Sequence, residues 1–166
     1  MEFKDGGHRI DQIKIIQDIA TRTWPTAYGE ILSKKQLDYM MDLIYSELSL
    51  IEQMKKKEQV FYIAFDETTA LAFMAIEHNY KREAVTRIHK IYILPETQGK
   101  GMGKLLIYFA ENEAKKENAT ALSLNVNRYN KALLFYQKFG FKIIAEEDIE
   151  IGNGYLMEDY KMEKQF

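Results

Sequence analysis

The stretch QGKGMGK, Gln98–Lys104, decides how this chain is read. Gly99, Gly101 and Gly103 alternate behind a strand-like run, RIHKIYIL (87–94), and ahead of a helical pattern, LLIYFAENEAKK (105–116). A strand that turns on glycines into a helix start leaves several backbone N–H groups unpaired and facing one point. That arrangement suits an anionic group such as phosphate.

Upstream of the loop the pattern is a meander. VFYIAF (60–65) and ALAFMAIEH (70–78) are compact apolar runs joined by the polar turn DETT, and TRIHKIYIL (86–94) follows KREAV, so three consecutive antiparallel strands are predicted. Downstream, Met102, Leu105, Leu106, Phe109 and Ala110 form one apolar helix face. ALSLNVN (121–127) reads as a strand with Leu122, Leu124 and Val126 facing the core and Ser123, Asn125 and Asn127 as a polar row on the other face. A short helix begins near Asn130, with Ala132, Phe135, Tyr136 and Phe139 on its stripe and Gly140 at its end. Two strands, FKIIAEEDIEI (141–151) and YLMEDYKMEK (155–164), close the chain.

The first half is mostly helical. Ile10, Ile13, Ile16, Ile19 and Ala20 recur at helical spacing, and Leu37, Met40, Met41, Ile44 and Leu48 form a second stripe with Ser33 as its N-cap. Pro25 and Pro95 each fall where an element is expected to end, and MEFKDGG reads as a poorly developed opening strand. The helix between RIHKIYIL and ALSLNVN makes those two strands parallel through a right-handed crossover. The glycine loop then sits at the carboxyl end of a parallel strand, where open α/β sheets place their ligands.

Composition narrows the function classes. A chain of 166 residues suits one domain, spanning 1–166. Lys plus Arg number 23 against 25 for Asp plus Glu, a balance that gives no polyelectrolyte reason to bind nucleic acid. The absence of cysteine excludes a disulfide framework, a thiolate metal site and a cysteine nucleophile. The longest apolar run, ALAFMAI, is far short of a membrane span, so a cytoplasmic protein without a membrane partner is expected. The glycosylation triplet at Asn118–Thr120 matches by spelling only.

Two common phosphate loops fail against the stretch. A Walker loop needs GK followed by Ser or Thr, and Gly103-Lys104 is followed by Leu105. The dinucleotide pattern GxGxxG fails from Gly99, where the last position is Lys104, and from Gly101, where it is Leu106. What matches is Gln98-x-x-Gly101-x-Gly103 directly after a strand and a proline, which resembles the acetyl-CoA pyrophosphate loop of the GNAT superfamily of N-acyltransferases. The element order agrees almost throughout, and NKALLFYQKFGFK (130–142) resembles the family's second signature. Within the superfamily, RIHKIYI, QGKGMGK, NKALLFYQKFGF and EDYKMEK look most like the polyamine acetyltransferase branch, which includes bacterial spermidine/spermine enzymes.

The resemblance implies an α/β GNAT fold, a mixed central sheet splayed between two parallel strands and flanked by helices. It also implies acetyl-CoA as acyl donor substrate, no metal, and acetyl transfer to a primary amine by direct attack in a ternary complex. A polyamine-like small molecule is the first acceptor and a peptide or protein amine the second; relatives are often homodimers. Main-chain groups of Gln98, Gly99, Lys100, Gly101, Met102, Gly103 and Lys104 would hold the pyrophosphate, with an ordinary glycine turn as the plainer alternative. The backbone of Ile91, Tyr92 and Ile93 would pair with the pantetheine arm, while their side chains serve the core. The amide near Ile93 is then the donor to the thioester carbonyl.

Asn130 is a cofactor contact by resemblance and an N-cap by its position. Tyr136 lies on an apolar stripe, which alone makes it a core tyrosine; by resemblance it also meets the cofactor and protonates the departing thiolate. A primary amine with pKa about 10 is neutral about one part in a thousand at pH 7, roughly 4 kcal/mol that a base, a relaying water or desolvation must supply. Many relatives carry Glu before the loop where this chain has His89, which titrates in the right range or is simply structural. Glu77, at the end of FMAIE, is the next candidate. Glu30, Asp42, Glu47 and Glu158 are acidic groups suited to attract a cationic amine or to sit on a solvated surface, and YGEIL (28–32) shapes an acceptor pocket or merely connects. Two rivals stand from other classes: a noncatalytic acyl-CoA-binding regulatory domain, and a nucleotide-binding module.

Overall fold

Among the described residues the apolar runs form seven strands, with five α-helices before and between them. The computed structural model describes residues 2–5, 10–56 and 58–166. In chain order the elements are β1 (Glu2–Asp5), α1 (Ile10–Tyr28), α2 (Lys34–Tyr45), α3 (Glu47–Lys55), β2 (Val60–Asp66), β3 (Thr69–Glu77), β4 (Val85–Ile93), α4 (Met102–Lys116), β5 (Ala121–Asn127), α5 (Ala132–Lys138), β6 (Lys142–Gly152) and β7 (Tyr155–Gln165). The strands form one mixed sheet in the order β1-β2-β3-β4-β5-β7-β6. The chain divides into two compact units, Met1–Glu77 with His89–Tyr108 and His78–Ile88 with Phe109–Phe166, so β4 and α4 each run through both.

In the first unit, β1, β2 and β3 pair antiparallel, with Glu2 opposite Phe65 and Phe61 opposite Ala75. Their core side chains are Phe61, Ile63, Phe73, Met74 and Ile76, joined by Ile13, Ile16 and Ile19 of α1, Met40 of α2 and Leu50 of α3. The opening strand is better developed than its sequence suggests: β1 spans four residues, and an edge strand needs one neighbour's backbone more than it needs a side-chain pattern. The Ile10 side chain lies outside the described residues.

Pro25 does not end an element; it lies inside α1, three residues before the helix stops. The N–H it lacks would have served the Thr21 carbonyl. Thr21 and Pro25 both lie on the exposed face, where water can take that role. The expected second helix is also two helices. Ser46 is extended (φ −61°, ψ 152°) and its hydroxyl accepts from Ser49 N at 3.2 Å, capping a new helix. Carbonyls at the break are satisfied by side chains: Ser49 Oγ donates to Leu43 O at 2.7 Å and Gln53 Nε2 to Ile44 O at 2.7 Å. The restart carries Leu48 off the predicted stripe to 81% exposure and brings Leu50 to 0%. Ser33 does cap α2, accepting from Gln36 N at 3.1 Å.

In the second unit, the start of β4 pairs parallel with β5 from Val85–Ala121 to Ile88–Leu124. β5 pairs antiparallel with β7, and β7 with β6. Leu122, Leu124 and Val126 are buried as the alternation predicts, together with Met162, Phe141, Ala110 and Ala114. The α4 stripe differs from expectation: Met102, Leu106, Ile107, Ala110 and Ala114 are buried, while Leu105 is 44% exposed and Phe109 half-buried. Period 3.6 drifts over four turns, and the core follows the geometric stripe rather than every apolar residue. Gly140, at φ +92°, follows α5 as the C′ residue.

The break at Ser46 sets a test. Leu50→Ala should lower unfolding stability by about 2–5 kcal/mol, and Leu48→Ala by less than about 0.5 kcal/mol, in urea denaturation. Equal losses at both positions would contradict two separate helices.

Candidate active site

β4 leaves the sheet through a short 3₁₀ turn, Pro95–Thr97. Leu94 N donates to Leu71 O at 2.9 Å, and Thr97 N returns to Leu94 O at 2.8 Å, which fixes the exit direction. Gln98 Nε2 donates to Ile93 O at 3.3 Å and so folds back over the strand end. Gly99 and Gly101 then take φ of +79° and +80°, the left-handed region, with no atom within 4 Å of where a Cβ would stand. Backbone conformation, and not crowding within the chain, calls for glycine there. Met102 is buried and anchors the first turn of α4, and Leu105 N donates to Gly101 O at 3.2 Å. Helix geometry leaves the N–H groups of Met102, Gly103 and Lys104 without partners inside α4, and exposed Gly99, Lys100 and Gly101 precede them. Lys104 Nζ lies 5.6 Å from the Tyr108 ring, at the same helix end.

Ile91, Tyr92 and Ile93 are half-buried. Tyr92 meets Tyr28 hydroxyl to hydroxyl at 3.1 Å, beside Trp24 and Phe73. Tyr45 completes this aromatic group from α2, and full burial raises its phenol pKa. Tyr28, the first residue of YGEIL, thus belongs to the packed interior of its unit rather than to a plain connector. Glu30, Asp42 and Glu47 are exposed, and Glu158 is half-buried.

The two base candidates form one pair. His89 Nε2 and Glu77 Oε2 stand 2.7 Å apart, each side chain about one-fifth exposed. A carboxylate only accepts, so the pair fixes the proton on Nε2 and turns Nδ1 into the ring's acceptor atom when the imidazole is neutral. The sequence offered these residues as alternatives; the fold makes them partners.

Tyr136 is buried on α5, its ring 5.3 Å from Phe135 and 5.8 Å from Phe141. Asn130 Oδ1 accepts from Ala132 N at 2.9 Å, but Asn130 stands one residue ahead of the N-cap expected of it: Lys131 holds that position in α5 and makes no side-chain cap bond.

A polar network on β5, β6 and β7 was only half legible. Ser123, Asn125 and Asn127 are the predicted polar row, yet Ser123 and Asn127 are buried. Asn125 Nδ2 donates to Glu147 Oε2 at 2.9 Å and to Asp159 Oδ2 at 3.4 Å. Burial pushes the Asp159 carboxyl up to about 6, opposed by the hydrogen bond from Asn125 and the charge of Arg87. The signal for Asp159 was its place opposite Asn127, which only the strand register supplies. Among the described residues no group of three or more His, Cys, Asp or Glu is placed to hold a metal ion, and no helix is long and apolar enough to cross a membrane.

Comparison with known proteins defines the class. The family model described as acetyltransferase (GNAT) domain matches residues 31–164. The chain belongs to this family and is an acetyl-CoA-dependent N-acetyltransferase. It is 27% identical over 154 residues to a spermidine N(1)-acetyltransferase of Thermoplasma acidophilum, covering 90% of this chain and 91% of the relative. It is 25% identical over 115 residues to the peptidyl-lysine N-acetyltransferase YjaB of Salmonella typhimurium, covering 68% and 71%. The fold is also that of the PaiA N-acetyltransferase from T. acidophilum solved with coenzyme A, with a TM-score of 0.80, 24% identity and complete coverage of both chains.

The Asp159 geometry gives a pH test. Its folded pKa lies above the ordinary 3.8, so the folded state holds the proton more tightly than the unfolded one. This contribution to stability is therefore full below about pH 4 and lost as pH rises through about 6. Urea denaturation of wild type and Asp159→Asn should show the variant gaining relative stability between pH 4 and about 7. A difference that stays constant with pH would contradict the assignment.

Proposed function

We propose that the chain is one catalytic domain that acts in the cytoplasm and acetylates a primary amine of a small polyamine-like acceptor. The observation that carries this reading is the pair of left-handed glycines at the exit of β4, followed by unpartnered N–H groups at the start of α4. That cradle fits a pyrophosphate: the donors are main-chain groups, the helix end adds positive potential, and Lys104 adds a charge. Similarity to a spermidine acetyltransferase along nine-tenths of the chain supports the choice of acceptor.

In this reading Gly99–Lys104 anchor the donor, and the backbone of Ile91–Ile93 aligns its arm. The Ile93 amide donates to the thioester oxygen as negative charge grows there. His89 takes the amine proton at Nδ1, directly or through a water, while Glu77 holds Nε2–H and stabilises the imidazolium that forms. The amine nitrogen then bonds to the acyl carbon, the carbon–sulfur bond breaks, Tyr136 gives its hydroxyl proton to the departing thiolate, and the second proton shed by the nitrogen returns through water to the Tyr136 oxygen. Direct attack needs no acyl-enzyme, in keeping with a chain that has no cysteine.

A second reading, acetylation of peptide lysine, is favoured by the similarity to YjaB. CoA-thiol release from acetyl-CoA with polyamines, amino sugars and lysine peptides separates the two. Faster acceptor-dependent release with polyamines is expected, and preference for peptides would select the second reading. Tight acetyl-CoA binding with no acceptor-dependent release would return a noncatalytic binding domain. In the same assay Tyr136→Phe should lower turnover by about 10²-fold or more while acetyl-CoA affinity holds, and His89→Gln should flatten the acid limb of the rate profile. An unchanged limb would make His89 structural, and undiminished turnover would remove the acid role of Tyr136.

A further inference from the structure

The sheet ends on β6, and among the described residues no strand covers its outer side. Such an edge is ordinarily kept short or broken by proline, lysine or bulges, because its unpaired N–H and C=O groups invite another strand. β6 runs for eleven residues and contains no proline. Its register against β7 shifts between Ile143 and Ala145 and again between Glu150 and Gly152; between those shifts residues 145–150 pair regularly with 156–161. In an antiparallel ladder every second residue of an edge strand turns both backbone groups away from its neighbour. The regular stretch is therefore a template for one more strand, and it lies wholly within the second unit.

Charge selects the occupant. Glu146, Glu147, Asp148 and Glu150 make four of the six residues acidic, and none is basic. Alternation puts Glu146, Asp148 and Glu150 on one face, where β7 adds Leu156, Glu158 and Tyr160; Glu147 and Ile149 lie on the other, with Lys161. Asn125 donates to the Glu147 carboxylate, and Arg128 pairs with Asp148 and reaches the Glu147 carbonyl at 3.4 Å. Glu146, Glu150 and Ile149 are exposed. A second copy paired antiparallel about Glu147 would set Glu146 against Asp148 and Glu147 against its twin, and pairing about Glu146 or Asp148 again sets a carboxylate against its twin. Like charges directly opposite are destabilising, so this strand repels itself. Lysine or arginine in the same places turns each repulsion into an attraction.

We infer that β6 takes up an extended basic segment of another protein as a further strand of the sheet. Main-chain hydrogen bonds along 145–150 supply the affinity, and lysine or arginine side chains of the partner meet Glu146 and Glu150. Asp148 keeps Arg128, so the partner's basic residues face the first and last carboxylates of that row. Ile149 offers the opposite face an apolar contact. The surface is read out by binding alone and does not depend on which amine the chain acetylates.

The experiment is fluorescence anisotropy of the full chain with a labelled peptide that alternates lysine and threonine, set beside the glutamate–threonine peptide and the lysine peptide methylated on its backbone nitrogens. Wild type should bind the lysine peptide saturably and ignore the glutamate peptide, and hydrogen exchange should slow at residues 145–150 in the complex. Backbone methylation, which keeps the charge and removes the N–H donors, should weaken binding by about tenfold or more, and so should the double substitution Glu146→Lys with Glu150→Lys. No saturable binding of the lysine peptide, or equal affinity for its methylated form, overturns the inference; the carboxylates then only keep the edge from pairing. Exchange protection at 145–150 in the free protein that grows with its concentration assigns the edge to a second copy and overturns it as well. The methylated peptide is compared on wild type, so the test stands even if the double variant fails to fold.

Discussion

The structure depends on how β4 becomes α4. A strand ends with its carbonyls and amides committed to neighbours, whereas a helix begins with amides that have none. Joining the two within a few residues requires backbone angles that ordinary residues resist, and Gly99 and Gly101 supply them at φ +79° and +80°. The consequence is chemical as well as steric. Unpartnered N–H groups converge at a positive helix end, on a loop fixed by the Leu94 and Thr97 backbone bonds and by the buried Met102. Little reorganisation is then needed to meet an anion, which is the physical content of a preorganised site.

Proton handling follows a similar logic of pairing. His89 alone on a strand would be an unremarkable polar residue, but Glu77 on the adjacent strand fixes which nitrogen carries the proton and which accepts one. The polar face of β5 is the converse case: Asp159 is held by burial where ionisation is hard.

Much of this was legible in the sequence because it is carried by local chemistry. The alternation of Leu122, Leu124 and Val126, the cap at Ser33, the glycine after α5 and the loop itself all follow from neighbours a few residues apart. The misses involve information that is not local. The helix break at Ser46 depends on Ser49 and Gln53 reaching back to carbonyls that a regular stripe hides. Pro25 is tolerated because its side of α1 is exposed, and β1 exists because β2 offers an edge. The pairing of His89 with Glu77, and of Asn125 with Asp159, needed the strand register before either could be drawn.

The central claim is that main-chain amides at the β4–α4 junction bind the pyrophosphate of coenzyme A. Amide NMR during titration with coenzyme A tests it most directly. The account expects the largest shifts at Gly99–Lys104, followed by Ile91–Ile93. Saturable binding that leaves those amides unmoved and shifts others would contradict it.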